Sequence, residues 1–221
     1  MKIFRLSCVV LIMFISLTLC FGCGKEKDYK ASINDDDVIK LTLFTYDGKG
    51  ESHFGLMNLG HTFLSLENLT DEDIAIGKMT LSPQDEIALG TWSVKSHFGV
   101  WYNLEGNYSR DYRKYDGRIS VSIGVSLDEV KKINEYISEN DHWSVFKNCS
   151  YFALNLYNLV ASDSEYIEPP LIYTPAYIAS KIKLFPSYET NKVIHCDNTF
   201  GYFDDDKYIE YSFKEGVYEG I

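Results

Sequence analysis

Residues 148–160 read Asn-Cys-Ser-Tyr-Phe-Ala-Leu-Asn-Leu-Tyr-Asn-Leu-Val. Phe152, Ala153, Leu156, Tyr157 and Val160 recur at helical spacing and make one apolar stripe, so this segment is a helix that packs along its length. Asn148 is a favoured N-cap, which puts Cys149 in the first turn. A helix start carries partial positive charge and backbone N–H groups without intrahelical partners. Both favour a thiolate, and the N–H groups can hold an oxyanion. A free thiol of pKa about 8.5 is mostly protonated at neutral pH, so a nucleophilic role also needs a group that accepts the proton. The competing reading is that Cys149 is a small buried apolar residue. Its place at the helix end, and not in the middle, weighs against that.

Working upstream, Gly60-His61-Thr62-Phe63-Leu64-Ser65-Leu66 alternates as a half-buried strand. Phe63 and Ser65 share the His61 face; Leu64 and Leu66 share the other. A histidine on a strand is most often a hydrogen-bonded structural residue, yet its ring can also take a thiol proton. Further strands are expected at 38–46, 74–76, 86–92, 100–104 and 118–125, separated by turns at Asp47-Gly48-Lys49-Gly50, 68–73 and Ser82-Pro83-Gln84-Asp85. Helices follow. Ser126 and Glu129 form a capping box ahead of Val130, Ile133 and Ile137, and Asn140-Asp141 ends that helix. Thr174-Pro175 reads as N-cap and N1 of a last helix with Ile178 and Ile182 inward. Strand-like pieces flank an acidic turn at Asp204-Asp205-Asp206. The fold class is α+β, a mostly antiparallel sheet with the cysteine helix packed on it.

The chain starts with Lys2 and Arg5, then an apolar run from Leu6 to Phe21. About sixteen residues is short for a membrane span of roughly twenty, so the run reads as a secretory signal. It ends Leu19-Cys20-Phe21-Gly22-Cys23, which resembles a bacterial lipoprotein signal with small Gly22 before a lipid-modified Cys23. Cys20 stands where that pattern usually has Leu. Plain secretion or an uncleaved anchor are the alternatives. Residues 1–22 are then the signal, the charged stretch 23–37 a flexible tether, and 38–221 a single domain. The protein is placed outside the cytoplasm, anchored to a bacterial membrane by lipid. Losing Lys2 and Arg5 with the signal takes the formal charge from -11 to -13. So acidic a chain is a poor match for nucleic acid. Of five cysteines, cleavage leaves Cys23, Cys149 and Cys196. A Cys149–Cys196 disulfide is the bland alternative to catalysis, and it requires Cα atoms within roughly 7 Å.

Gly60-His61-Thr62-Phe63, Gly90-Thr91-Trp92, Trp101-Tyr102-Asn103-Leu104-Glu105, Asn148-Cys149-Ser150-Tyr151-Phe152-Ala153 and Thr174-Pro175 lie in an order that resembles the circularly permuted papain-like proteins. That group includes permuted NlpC-type peptidases and lecithin-retinol-acyltransferase-like proteins, and here too the histidine strand precedes the cysteine helix. The similarity runs from about Leu41 to Lys183. It implies a papain-like domain with Cys149 as nucleophile, His61 as general base and a third polar group orienting His61. Asn103 and Glu105 are the candidates for that third role; each also reads as a surface or structural residue. The implied reaction is attack on an amide or ester carbonyl, with cell-wall peptide as the favoured substrate by analogy. The rival is a non-catalytic surface lipoprotein that keeps the fold for binding.

No cofactor is expected. His53, His97 and His142 have no metal-ligand spacing with one another or with the cysteines, which disfavours zinc. His195 and Cys196 are adjacent and so face opposite ways on an extended chain. Asp204–Asp206 lack a dedicated calcium-loop pattern and read as a solvated turn. The sequence holds 17 Tyr and 13 Phe, more than a core of this size requires. Those near Trp101 and Tyr102 are candidates to line a groove for sugar or peptide; the rest read as packing.

Overall fold

In the computed structural model, residues 33–48, 60–111 and 115–212 are described. The expected signal, Cys23, most of the tether, the loop bearing Lys49, Gly50 and His53, and the last nine residues lie outside them. The described residues belong to one unit, Ala31–Ile221.

Strand alternation builds the frame. The strands are β1 (Ile39–Tyr46), β2 (His61–Asn68), β3 (Ile74–Ile76), β4 (Met79–Leu81), β5 (Glu86–Val94), β6 (His97–Tyr102), β7 (Ile119–Val125), β8 (Glu189–Thr190), β9 (Phe200–Asp204) and β10 (Lys207–Tyr211). Eight of them form one sheet in the order β10-β9-β6-β5-β2-β1-β7-β8; β3 and β4 form a separate hairpin. Every strand pairing is antiparallel. The sheet is covered on both faces, so its central strands β1, β2 and β5 are buried on both sides. Leu41, Leu43, Leu64, Leu66, Ile87, Leu89, Val121 and Ile123 face one core. Phe44, Phe63, Ala88, Trp92 and Trp101, one residue out of step, face a second, aromatic core.

Four helices are present among the described residues: α1 (Leu104–Asp111), α2 (Leu127–Glu139), α3 (Cys149–Val160) and α4 (Pro175–Ile182). The buried stripes of α2, α3 and α4 fill the first core, and Leu104 and Tyr108 of α1 join the second. The Glu129 carboxylate accepts from both the Ser126 N–H and its hydroxyl, at 2.8 and 2.7 Å, and starts α2. Thr174 Oγ1 accepts from the Tyr177 N–H at 3.2 Å, with Pro175 at the first position of α4. No helix among the described residues is long and apolar enough to cross a membrane.

Three expectations change. The strand expected at 100–104 begins earlier and stops at Tyr102, because Asn103 turns left-handed (φ 62°) and the chain enters α1. Asn tolerates that conformation better than most residues, which masks the turn in an otherwise strand-like run. The tail has a place: β9 and β10 form a hairpin whose Gly201 pairs with Tyr102 at the β6 edge. Trp101 and Tyr102 line no groove; both are buried in the two cores.

Candidate active site

The site lies where the β2–β5 ladder stops. Pairing joins Leu64–Glu67 to Glu86–Leu89 and goes no further, whereas β2 continues to His61 beside β1 and β5 continues to Val94 beside β6. The start of β2 and the middle of β5 are therefore not laddered to each other, and side chains from both faces of the sheet meet there.

From the helix face comes Cys149. Asn148 caps α3: its Oδ1 accepts from the Tyr151 N–H at 3.0 Å, and its backbone oxygen accepts from the Phe152 N–H at 3.0 Å. The two preceding amides, of Cys149 and Ser150, have no intrahelical acceptor by the geometry of a helix start. Ser150 and Thr62 hydroxyls lie 3.1 Å apart in a buried contact that pins this end of α3 to β2. The His61 ring, the Thr62 backbone N–H and the Ser150 side chain are the groups near the Cys149 sulfur that favour its anion. Cys149 is partly exposed; Cys196 is buried, and both are free thiols with no disulfide between them.

From the other face come His61 and Glu105. Gly60 has φ 78°, and a Cβ there would sit 2.2 Å from the Tyr46 oxygen and 3.0 Å from Pro175 Cβ, so glycine is required at this entry to β2. His61 Nε2 lies 3.1 Å from Glu105 Oε1. The same oxygen accepts from Trp92 Nε1–H at 2.6 Å. Glu105 Oε2 is buried without a hydrogen-bond partner. Glu105 reaches His61 across Gly90: a Cβ at residue 90 would lie 1.8 Å from Glu105 Oε1 and 3.3 Å from His61 Nε2. The imidazole is boxed by aromatic rings, with centroids at 4.2 Å for Trp92, 5.7 Å for Tyr115 and 5.8 Å for Phe63.

Burial by itself disfavours a charged imidazole, yet the Cys149 sulfur and the Glu105 carboxylate outweigh it and lift His61 to about 9. Burial likewise disfavours a thiolate at Cys149, and here too it loses: the His61 charge and hydrogen bond, then the Thr62 amide, hold the thiol below its ordinary value. Both shifts point to a thiolate–imidazolium pair. Burial pushes the Tyr115 hydroxyl well up, helped by the two nearby anions, so it stays a neutral phenol. Cys196 behaves in the opposite way to Cys149. Burial lifts it to about 12, so it is inert beside Glu86 and the Arg110 guanidinium.

The structure thus brings Cys149, His61 and Glu105 together and leaves Asn103 elsewhere. Asn103 is spent on the turn into α1: its Oδ1 accepts from the Ala88 N–H at 3.1 Å and its Nδ2 donates to the Thr199 oxygen at 3.3 Å. Glu105 arrives from the first turn of a helix, not from a strand. Gly90 and Trp92 were visible as a motif without a role. Their role follows from extending the β2–β5 register by three residues, which sets Trp92 opposite His61. The Thr62 amide and Tyr115 had no sequence signal. Among the described residues no three His, Cys, Asp or Glu side chains gather as a metal site. Comparison with protein-family models, with curated proteins and with solved structures returns no match.

Proposed function

We propose that this protein is a cell-envelope cysteine hydrolase or acyltransferase of the permuted papain-like kind. The observation that carries the reading is His61 held between the Cys149 sulfur and the Glu105 carboxylate. With Nε2 engaged by Glu105, Nδ1 is the nitrogen left for the sulfur. The Cys149 thiolate attacks an amide or ester carbonyl, and the oxyanion forms against the Cys149 and Ser150 backbone N–H groups. His61, carrying the proton from the thiol, delivers it to the departing amine or alcohol and leaves an acyl-thioester. Water or an amine then attacks the thioester; His61 takes the proton of the incoming nucleophile, and the thiolate is released. Glu105 fixes the ring orientation and stabilises its charged form, and the Trp92 N–H fixes Glu105 in turn. Lipid on Cys23, left after the Leu6–Phe21 leader is cleaved, would hold this domain outside the cytoplasmic membrane, where cell-wall peptide is the amide in reach.

The test has two parts. Iodoacetamide labelling across pH, with peptide mapping, reads Cys149 reactivity; digestion of purified muropeptides followed by mass spectrometry reads turnover. A Cys149 that alkylates well below pH 8 and slows in His61→Ala supports the reading. An unreactive Cys149 overturns it in favour of a surface lipoprotein that only binds.

A further inference from the structure

Large exposed apolar side chains on this domain are mostly scattered, as on β6 (Phe98), at the start of α2 (Leu127) and after α4 (Leu184). Single residues of that sort need no explanation. Two loops differ. In the loop before α3, Val145 is 73% exposed and Phe146 is 89% exposed. In the loop before α4, Leu171 is 100% exposed and Ile172 is 73% exposed. The loops are tied together at the N-cap of the nucleophile helix. Asn148 Nδ2 donates to the Tyr173 oxygen at 3.1 Å and lies 3.4 Å from the Val145 oxygen. The two loops that carry these four apolar tips therefore meet at the cap of α3, next to Cys149.

We infer that these two loops dock into a lipid surface and turn the Cys149 end of the domain toward the membrane. Three observations choose that occupant. Pockets for small ligands are concave and enclose most of the ligand, whereas side chains this exposed stand out from the surface and suit insertion into a soft phase. The sequence also keeps the domain close to lipid. This rests on the anchor reading above: the apolar run ends at Phe21 and β1 begins at Ile39, so about eighteen residue steps, at most ~60 Å of chain, separate them. That limit holds whether the leader stays as an anchor or is replaced by lipid on Cys23. Finally, Lys147, next to Phe146 in the first loop and with its ammonium 6.0 Å from the Tyr151 ring centroid, sets a cation and an aromatic ring close to these tips. Such a pairing suits the headgroup layer. The net charge of -11 directs the contact to zwitterionic lipid over anionic lipid.

The experiment uses the full chain, leader included, in phosphatidylcholine vesicles. Leu171→Trp places a reporter at one tip, and Asp206→Trp places another on the β9–β10 turn. Trp92 and Trp101 are buried and give the background; the half-buried Trp143, two residues before Val145, is replaced by Phe in both reporters so that it adds no quenching of its own. Docking predicts a blue-shifted Leu171→Trp emission that brominated phosphatidylcholine quenches, an unquenched Asp206→Trp, and loss of quenching when Phe146→Asp and Ile172→Asp are added. Quenching absent at residue 171, or equal at both positions, overturns the inference. So does a blue shift without lipid that grows with protein concentration, which would make the surface a contact between two copies. The readout needs no turnover, so an inactive Cys149 would leave it unchanged and the two proposals fail separately.

Discussion

Glu105→Gln isolates the electrostatic part of the site. The substitution keeps the shape and leaves an oxygen to accept from Trp92, but removes the charge 3.1 Å from His61 Nε2. Two unit charges at that distance attract by ~5 kcal/mol at an effective dielectric of 20, an upper bound before desolvation is counted. A hydrogen bond to a charged group contributes ~1.5–3 kcal/mol net. At 1.36 kcal/mol per unit, that lowers the His61 value from about 9 by roughly one to two units. The proton shared by Cys149 and His61 then moves back toward sulfur, and the ratio of thiolate–imidazolium to neutral pair at neutral pH falls by roughly 10- to 150-fold. The assay is the pH dependence of the Cys149 alkylation rate from pH 4 to 10, resolved by peptide mapping. The acid limb should move up and the neutral rate should fall, while a thermal melt reads any cost of burying the new amide where Oε2 now has no partner. A variant that melts as the wild type does and whose profile superimposes on it would refute the assignment of Glu105 as the group that charges His61.

Gly90→Ala drives a Cβ into Glu105 Oε1, so it should destabilise the fold by about 1–3 kcal/mol and reduce Cys149 alkylation further than Glu105→Gln; a urea titration and the labelling rate read both. Trp92→Phe removes the 2.6 Å bond to Glu105 and should lower stability by about 1.5–3 kcal/mol, measured by the urea midpoint. Asn148→Ala loses the α3 cap and its ties to the flanking loops, which should cost about 1 kcal/mol or more in a thermal melt. The pH dependence of stability has a definite form. The raised His61 value contributes stability that is present below 6.5 and lost as pH rises to about 9, while the lowered Cys149 value contributes stability gained as pH rises toward its ordinary 9.0. The two slopes oppose each other, so urea midpoints should fall less between pH 6.5 and 9 than the His61 shift alone would make them. In His61→Ala the buried thiol resists ionisation, and stability should fall above about pH 9.

Much of the frame is legible in residue order because local rules make it. Alternation in Leu64–Leu66 and in Ile119–Val125 sets strand faces; Ser126 with Glu129, Asn148, and Thr174 with Pro175 announce three helix starts through short-range hydrogen bonds. Local chemistry also put Cys149 at a helix N-terminus. It failed at α1, where β-branched and aromatic neighbours up to Tyr102 hide a turn that only the left-handed Asn103 makes. It marked the strands on either side of Asp204–Asp206 but not where they dock, because the edge partner of β9 lies about a hundred residues away.

What tertiary structure alone decided is which distant groups share a proton. His61 and Cys149 sit on opposite faces of the sheet, and nothing in their spacing says that the β2–β5 ladder ends early enough to let them meet. Glu105 reaches the ring only because residue 90 has no side chain, a steric fact about two strands and a helix that are remote in sequence. Period and capping act over three or four residues and are written in the chain. Register, ladder ends and close approach depend on how whole elements pack, and they appear only when the core is assembled.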